Sequence, residues 1–372
     1  MQNVILSKVP NSTIDIPGVI ENVLAGEDIS PEDALQIYEK CDFHLIGQTA
    51  NYLRKRACGD IVTFVVDRNI NYTNVCTSKC KFCAFYREEE SDEAYVLNTE
   101  ELISKVQEAV DIGATQILLQ GGLHPHLPFE FYEDMLAILK QRFPGVQLHA
   151  LSPPEIAHIA KMNHCSVREV ISRLHDAGLD SIPGGGAEIL DDRVRSSISP
   201  DKVGWKTWRQ VMITAHKLDI PTTATMVFGH IETLNERIRH ITRIRDIQRE
   251  TGGFTAFIPW TFQEKNTALE GMFKLACGVD YLRTIAISRI ILNNYIPNIQ
   301  ASWVTQGSKV AQLALCFGAN DLGGTMIEEN VVRAAGTAFH KMANKEIVHM
   351  VHRLGRQAAR RDTLYKILQK YQ

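Results

Sequence analysis

Three cysteines lie close together in the segment YTNVCTSKCKFCAFYR: Cys76, Cys80 and Cys83 are separated by three and then two residues. Structural zinc takes four protein ligands, usually as two pairs, and no second Cys or His pair stands at matching spacing. A disulfide would leave one thiol over. A 4Fe–4S cluster explains the number, because three thiolates hold three irons and leave the fourth open to another ligand.

The elements around this loop alternate between strand-like and helical patterns, as in a parallel sheet covered by helices. Eight strands are predicted, the number at which such a sheet closes into a TIM-type barrel. A doubly wound open sheet is the alternative, because periodicity does not reveal closure. The predicted strands cover residues 61–75, 114–122, 146–153, 180–186, 222–230, 254–262, 298–304 and 314–321.

A helical stretch precedes the barrel. Ser30 suits its N-cap and Pro31 its first position. We therefore predict an α/β fold with two parts, a helical N-terminal extension over residues 1–59 and a (βα)8 barrel over residues 60–372. The second part includes a C-terminal helical region, where Arg353, Arg356, Arg360 and Arg361 are interpreted as a solvated helix face.

Composition excludes several classes of protein. A net charge of −3 with 22% charged residues gives no basic field for nucleic acid. No apolar run approaches the length of a membrane span, and the N-terminus lacks the pattern of a signal peptide. Eight cysteines without a disulfide-like framework favour a reducing compartment, so we expect a cytoplasmic protein.

The cysteine spacing, with Phe82 before the last cysteine, resembles the signature of the radical S-adenosylmethionine (SAM) superfamily. This resemblance implies a barrel in which SAM chelates the open iron, and a 5′-deoxyadenosyl radical formed from SAM by one electron from the reduced cluster. Further segments resemble the futalosine-pathway radical SAM enzymes of menaquinone biosynthesis. They include ILLQGGLHP, AGLDSIPGGGAEIL, TTATMVFGHIET, FIPWTF and QASWVTQG.

The resemblance favours the member of that family that cyclises dehypoxanthine futalosine. The implied reaction removes the ribose C4′ hydrogen, joins that carbon to the benzoate ring, and releases a proton and an electron. The cluster itself could accept this electron. The sister reactions of aminofutalosine synthase and FO synthase remain open, and an iron–sulfur electron carrier is the alternative from another class. Cleavage of SAM would separate an enzyme from a carrier.

The resemblance also implies which residues contact SAM. Glycines let the backbone approach a ligand, and a fixed charge orients a zwitterion. Glu188 is expected at the polar groups of SAM and Arg195 at its carboxylate. The segment QGG lacks the acid of the GGE found in many superfamily members, a contact that Glu188 is a candidate to supply. The glycines expected against SAM are Gly121, Gly122, Gly184 and Gly185.

The reaction also needs a proton acceptor and a site for the benzoate. His230, Glu232 and Asp321 are equal candidates for the base at the barrel mouth. Arg68, Thr225, Ser302 and Gln306 are candidates to bind the carboxylate, and Tyr72, Phe262 and Trp303 to enclose the ring. The implied partners are a small-molecule substrate and an electron donor such as flavodoxin or ferredoxin. Cys41, Cys58, Cys165, Cys277 and Cys316 are interpreted as buried structural thiols.

Overall fold

The computed structural model describes residues 15–339 and 341–372. Three helices come first, α1 (Ile16–Ala25), α2 (Pro31–Lys40) and α3 (Phe43–Cys58). Ser30 caps α2 as predicted, since its hydroxyl accepts the amide of Asp33 at 3.0 Å. Residues 1–14 of the predicted extension lie outside the described residues, and the division of the chain at residue 60 stays a prediction.

Nine strands follow, most of them in alternation with helices. The first two, β1 and β2, are one long strand interrupted at Val66. The strands are β1 (Ile61–Val65), β2 (Asp67–Asn71), β3 (Gln116–Gln120), β4 (Gln147–Ala150), β5 (Thr222–Phe228), β6 (Phe254–Thr261), β7 (Asp321–Gly324), β8 (Gln357–Arg361) and β9 (Ile367–Lys370).

Parallel pairing closes these strands into a ring. β2 pairs with β3, β3 with β4, β5 with β6, and β7 with β1. Two short segments fill the gaps, because residues 181–182 bridge β4 to β5 and residues 299–300 bridge β6 to β7. The ring therefore has eight parallel members, which is consistent with the predicted TIM-type barrel.

The helices lie between successive strands and bury apolar side chains such as Ile171, Trp208 and Ile285. Each large side chain buried there contributes about 2 kcal/mol. No helix in the described ranges is long and apolar enough to cross a membrane. The helices are α4 (Thr99–Asp111), α5 (Phe129–Arg142), α6 (Pro153–Met162), α7 (Val167–Asp176), α8 (Asp192–Ile198), α9 (Trp205–His216), α10 (Leu234–Thr251), α11 (Gly278–Leu292), α12 (Trp303–Ala314), α13 (Val331–Ala334) and α14 (Asn344–His352).

The last predicted strand is displaced. Residues 314–321 were expected to form it, but α12 runs to Ala314 and a tight helical turn covers Leu315–Phe317. The strand begins only at Asp321, because Gly318 ends the helical turn with a positive φ of 112°. A short apolar run fits a buried helix as well as a strand, which explains the error. Asp321 consequently starts its strand and lies at the end of the barrel opposite the mouth.

The chain ends in a β-hairpin that closes this opposite end, which we call the floor. β8 pairs in parallel with β1, and β9 returns antiparallel to β8. The expectation of a solvated helix face for the four arginines is wrong, because Arg360 and Arg361 lie on β8. Arg361 is buried, and its guanidinium forms two hydrogen bonds with Asp321 at 2.6 and 2.9 Å.

Candidate functional site

The cysteine loop follows β2 at the mouth of the barrel, and all three thiols line one cavity of about 330 Å³. The loop is fixed by backbone hydrogen bonds, from the amide of Cys76 to the carbonyl of Arg87 at 3.1 Å and from that of Thr77 to Leu123 at 3.0 Å. The cavity runs from this loop through the barrel to Thr363 and Tyr365 in the hairpin of the floor. One enclosed space therefore joins the cysteines to the barrel interior.

The environment of the thiols suits a multi-iron cluster. Burial raises the pKa of Cys80 to about 12 and also raises the pKa of Cys83, so these thiols stay protonated until a cation displaces their protons. Within the described ranges, no three His, Cys, Asp or Glu side chains converge closely enough to hold one metal ion. Thiols that share a wall without meeting at one point fit a cluster better than a single zinc ion.

Gly121 and Gly122 bring the end of β3 against the cysteine loop. A Cβ atom at Gly122 would collide with the carbonyl of Val75 and lie 2.8 Å from the Cβ of Cys76. At Gly121 it would lie 2.5 Å from the ring of Tyr72. Both glycines line the cavity, in agreement with their expected place near SAM.

The glycines of the second glycine segment, residues 184–186, have two different roles. Gly185 and Gly186 line the cavity, whereas Gly184 is absent from its wall. A Cβ at Gly184 would lie 2.5 Å from the carbonyl oxygen of Thr223, and its amide donates to the Thr223 hydroxyl at 3.0 Å. Gly184 therefore packs against β5, and the expected SAM contact of Gly184 is not supported.

Glu188 lines the cavity beside the cluster loop, where Lys202 and Arg195 donate to it at 2.9 and 3.3 Å. Burial alone would raise the pKa of Glu188, but these two cations more than offset it and hold the pKa below its usual range. Lys202 also lies 5.5 Å from the ring of Phe82. Sequence reasoning missed Lys202, which stands 14 positions after Glu188 with no motif around it.

Arg195 lies behind the cavity wall. Its guanidinium donates to the carbonyls of Gly186 and Ala187 at 3.0 and 2.7 Å, and to that of Val203 at 3.1 Å. These bonds hold the glycine segment in place. The expectation that Arg195 binds the SAM carboxylate is not supported, because its donors are engaged by the backbone.

A buried acid, Glu155 from the first turn of α6, lies against the QGG segment. Its Oε1 accepts the amide of Gly121 at 2.9 Å and the hydroxyl of Tyr72 at 2.6 Å, and Oε2 accepts the amide and hydroxyl of Ser152. Tyr72 is buried outside the cavity wall, so its expected contact with the substrate ring is not supported. The contact between Glu155 and Gly121 is non-local, and the sequence offered no signal for it.

His230 and Glu232, two of the three predicted bases, build the turn after β5. Glu232 accepts the amides of Gly229 and His230 at 2.7 and 2.9 Å and pairs with Arg237 at 2.7 Å. The Nε2 atom of His230 contacts the carbonyl oxygen of Val227 at 3.0 Å. Neither side chain reaches the cavity wall, and neither does Phe262, whose ring packs edge-on against His230.

Asp321 and Arg68 are also engaged away from the mouth. Asp321 is paired with Arg361 in the floor and accepts the hydroxyl of Thr63 at 2.6 Å. Arg68 points outward and binds Glu328 and Glu108, each at 2.8 Å. Side chains alternate along a strand, so Arg68 faces away when its neighbours face inward. Asp321 as a base at the mouth and Arg68 as a benzoate ligand are both contradicted by these positions.

Three of the predicted substrate contacts do line the cavity, namely Thr225, Ser302 and Trp303. Gln306 does not, because its amide donates to Thr261 at 2.6 Å from outside the wall. Among the other cysteines, Cys41 is buried as expected, but Cys277 is exposed.

The cavity wall also carries polar groups that were not predicted from the sequence. Four buried polar atoms of the wall lack a partner among the described residues: Asn69 Oδ1, Ser78 Oγ, Trp260 Nε1 and Thr363 Oγ1. Ser78 stands between two of the cysteines. A buried polar atom without a partner is costly, and a polar ligand in the cavity would satisfy it. The residues present therefore fit both the cluster with SAM and a polar organic substrate.

Comparison with known proteins agrees with this geometry. Residues 70–244 match the model of the radical SAM superfamily, and residues 251–372 match the CofH/MqnC C-terminal region. The chain belongs to the radical SAM superfamily, whose enzymes use a 4Fe–4S cluster and SAM. The predictions of an enzyme, of its family and of both cofactors are confirmed.

Two groups of curated relatives are similar to this chain. Cyclic dehypoxanthine futalosine synthase from Halalkalibacterium halodurans is 45% identical over 96% of both chains, and the same enzyme from Streptomyces coelicolor is 42% identical over 95% of this chain and 89% of its own. The 5-amino-6-(D-ribitylamino)uracil–L-tyrosine 4-hydroxyphenyl transferase 1 of Methanosarcina mazei is 44% identical over 90% of this chain and 89% of its own.

Solved structures share the fold. Methylornithine synthase aligns with a TM-score of 0.72 at 16% identity, over 92% of this chain and 97% of its own. The FeFe-hydrogenase maturase HydG from Carboxydothermus hydrogenoformans aligns with a TM-score of 0.74 at 15% identity, over 94% and 80%. At this identity the likeness concerns the fold alone.

Proposed function

We propose that this protein cyclises dehypoxanthine futalosine to cyclic dehypoxanthine futalosine in menaquinone biosynthesis. The observation that carries the proposal is the 45% identity, over 96% of both chains, to the cyclic dehypoxanthine futalosine synthase of Halalkalibacterium halodurans. The cysteine loop and the cavity that joins it to the barrel interior support it, since the reaction needs a radical source at one end of a space that holds the substrate.

Cys76, Cys80 and Cys83 hold the cluster in this proposal, and the backbone at Gly121 and Gly122 admits SAM beside it. When bound, the two cofactors supply the 5′-deoxyadenosyl radical that removes a hydrogen atom from the substrate. Glu188 accepts hydrogen bonds from the amino group or ribose of SAM. The pairing of Glu188 with Lys202 keeps its carboxylate charged in a buried place.

The substrate occupies the cavity below the cofactors. Thr225 and Ser302 offer hydroxyl groups to it and Trp303 offers an aromatic surface. The unpartnered indole N–H of Trp260 is a donor for the substrate carboxylate. Holding the benzoate arm beside the ribose makes the attack on the ring effectively unimolecular, an advantage of up to about 7–11 kcal/mol over an encounter in solution.

The reaction also needs one electron from a donor to reduce the cluster before the first turnover. A low-potential carrier such as flavodoxin or ferredoxin is the donor that we propose. A cluster of this kind and its free thiols persist in a reducing compartment, so we assign the reaction to the cytoplasm.

Transfer of a 4-hydroxyphenyl group is the second candidate function. It rests on the 44% identity to the Methanosarcina mazei transferase, nearly equal to that of the cyclases. The two reactions differ in their substrates. The transferase acts on L-tyrosine and 5-amino-6-(D-ribitylamino)uracil, as its name states, whereas a cyclase acts within one molecule.

The two candidates separate in parallel incubations of reconstituted protein with SAM and dithionite. One reaction receives dehypoxanthine futalosine, and the other receives L-tyrosine with 5-amino-6-(D-ribitylamino)uracil. We expect 5′-deoxyadenosine and an organic product two hydrogens lighter in the first reaction only, as measured by mass spectrometry. Product in the second reaction alone would establish the transferase and refute the cyclase.

A further inference from the structure

We propose that Asp67 is the base that accepts the proton from the benzoate ring during cyclisation, an inference that rests on the proposed function. Asp67 is the first residue of β2 and lines the cavity together with Asn69 and Asn71. It was not among the candidates from sequence.

The depth of Asp67 suits this role. A strand rises about 3.3 Å per residue, so Asp67 lies roughly 13 Å below Asn71, the end of the strand that leads into the cysteine loop. The order from mouth to floor is therefore cluster loop, barrel interior and Asp67. The ring carbon that loses its proton is bonded to C4′, so the role of Asp67 requires the ribose and the ring to lie together in the barrel interior above this carboxyl group.

The carboxyl group of Asp67 has capacity to accept a proton. Its Oδ1 accepts the backbone amide of Met326 at 3.1 Å, and no side chain of the described residues donates a hydrogen bond to it. It rests against Gly324, where a Cβ atom would collide with it. Because residue 324 is a glycine, the backbone there leaves room for the carboxyl group of Asp67 in the cavity wall.

The other carboxylates of the wall are engaged. Glu155 accepts four hydrogen bonds at the QGG segment, and Glu188 is paired with two cations. Glu329 accepts two backbone amides at the start of α13 and the amide of Asn69. His149 is held by the hydroxyl of Ser181 at 2.7 Å, and burial lowers its pKa to about 3. Within the described wall, Asp67 is the carboxylate with the fewest donors.

The charges of the floor favour protonation of Asp67. Burial, the largest cause, and the neighbouring Asp321 on β7 raise its pKa to about 6, against the lowering effects of the Met326 amide and of Arg361 on β8. Arg361 forms its two carboxylate hydrogen bonds with Asp321, so Asp67 lacks a cation of its own. A base whose pKa lies near the operating pH is an efficient proton acceptor.

The step balances as follows. The C4′ radical forms a bond to a ring carbon and leaves a ring-centred radical. Asp67 takes the proton from that carbon, the C–H electron pair restores the aromatic ring, and the unpaired electron passes to the oxidised cluster. One hydrogen atom has gone to 5′-deoxyadenosine and one proton to Asp67, so the product is two hydrogens lighter than the substrate.

The variant Asp67→Asn tests this role with C4′-deuterated dehypoxanthine futalosine. We expect iron content and deuterium transfer into 5′-deoxyadenosine to persist, while the ratio of cyclised product to 5′-deoxyadenosine falls about 100-fold. Glu130→Gln is the control, an acid-to-amide change at an exposed position of α5 outside the cavity wall, and it should keep the wild-type ratio. Asp67→Glu should restore part of it.

The pH profile supplies a second readout. In the wild type, the product ratio should fall as pH decreases through about 6, because Asp67 becomes protonated, and in Asp67→Asn the ratio should not follow pH. A wild-type ratio in Asp67→Asn, or joint loss of deuterium transfer and product, would overturn the assignment. If the wild type itself transfers no deuterium, the proposed function fails and the role of Asp67 falls with it.

Discussion

The mouth and the floor of the barrel place their charged groups in different ways. At the mouth, three thiols come from one loop of eight residues, and Glu188 is paired with Lys202 and Arg195. At the floor, Asp67, Asp321 and Arg361 come from three distant parts of the chain, and one carboxylate is left without a cation.

This difference suggests that the mouth governs cofactor binding, whereas the floor governs which product the radical gives. In the proposed function, paired charges and close-packed glycines at the mouth hold the cofactors in a fixed geometry. Changes there should therefore stop the reaction before it starts. The uncompensated carboxylate of the floor lies below the radical source, so changes there should leave radical formation intact. The following predictions test this division.

The largest effect is expected at the cluster. Cys80→Ala should abolish the brown absorbance of the reconstituted protein and the cleavage of SAM, because the cluster loses one of its three protein ligands. Cys277→Ala is the control, since Cys277 is exposed and lies far along the chain, and it should retain both properties. Full iron content in Cys80→Ala would show that another residue serves as the ligand.

A smaller change at the mouth should also act on the cluster. Gly122→Ala places a methyl group against the carbonyl of Val75 and the side chain of Cys76, so the loop must shift. We expect iron content per chain to fall severalfold. At Gly145 a Cβ would meet nothing within 4 Å, so Gly145→Ala should bind iron as the wild type does. Equal iron content in both variants would contradict a tight contact at Gly122.

At the floor, Arg361→Met should lower stability without removing the cluster. It leaves Asp321 buried without its cation, which costs about 3–5 kcal/mol. Arg353→Met, an exposed member of the same arginine group, should change the free energy of unfolding by less than about 0.5 kcal/mol. Urea unfolding of the apoproteins measures both, and equal stability would place Arg361 outside the floor.

The smallest effect concerns Asp67 and has the opposite sign. Its folded pKa of about 6 lies above the ordinary value of 3.8 for an aspartate, so the native state binds the proton more tightly and loses stability as pH rises between these values. Asp67→Asn should therefore be more stable than wild type at pH 8, by up to about 3 kcal/mol, with the difference absent below pH 4. A destabilised variant at pH 8 would indicate that Asp67 is held by a cation.

At the mouth, the cysteine loop was predictable because its information is local. The spacing of Cys76, Cys80 and Cys83 indicates the proposed ligand set, and the strand periodicity indicates the barrel. The floor was not predictable, because the approach of Arg361 to Asp321 spans 40 residues and depends on a hairpin at a position expected to be helical. Because residues 314–321 were predicted as the strand, Asp321 was expected at its end, at the mouth. In the structure Asp321 begins the strand and lies at the floor.

Strand alternation could have identified Asp67. In DRNIN the inward positions are Asp67, Asn69 and Asn71, and the same alternation turns Arg68 outward. The inward side was not evident beforehand, because one set is polar throughout and the other combines Arg68 with the apolar Ile70. His230 and Glu232 illustrate a different difficulty. Polar side chains in a turn after a strand can bind the backbone of that turn as readily as they bind a substrate.

The central claim is tested most directly by the fate of one hydrogen. With dehypoxanthine futalosine deuterated at C4′, a reductant and SAM, mass analysis should find deuterium in 5′-deoxyadenosine and an organic product that has lost that deuterium and one further hydrogen. Deuterium transfer without cyclised product would indicate a quenched radical and a substrate of another kind. Unlabelled 5′-deoxyadenosine, formed while the substrate is recovered intact, would contradict the account.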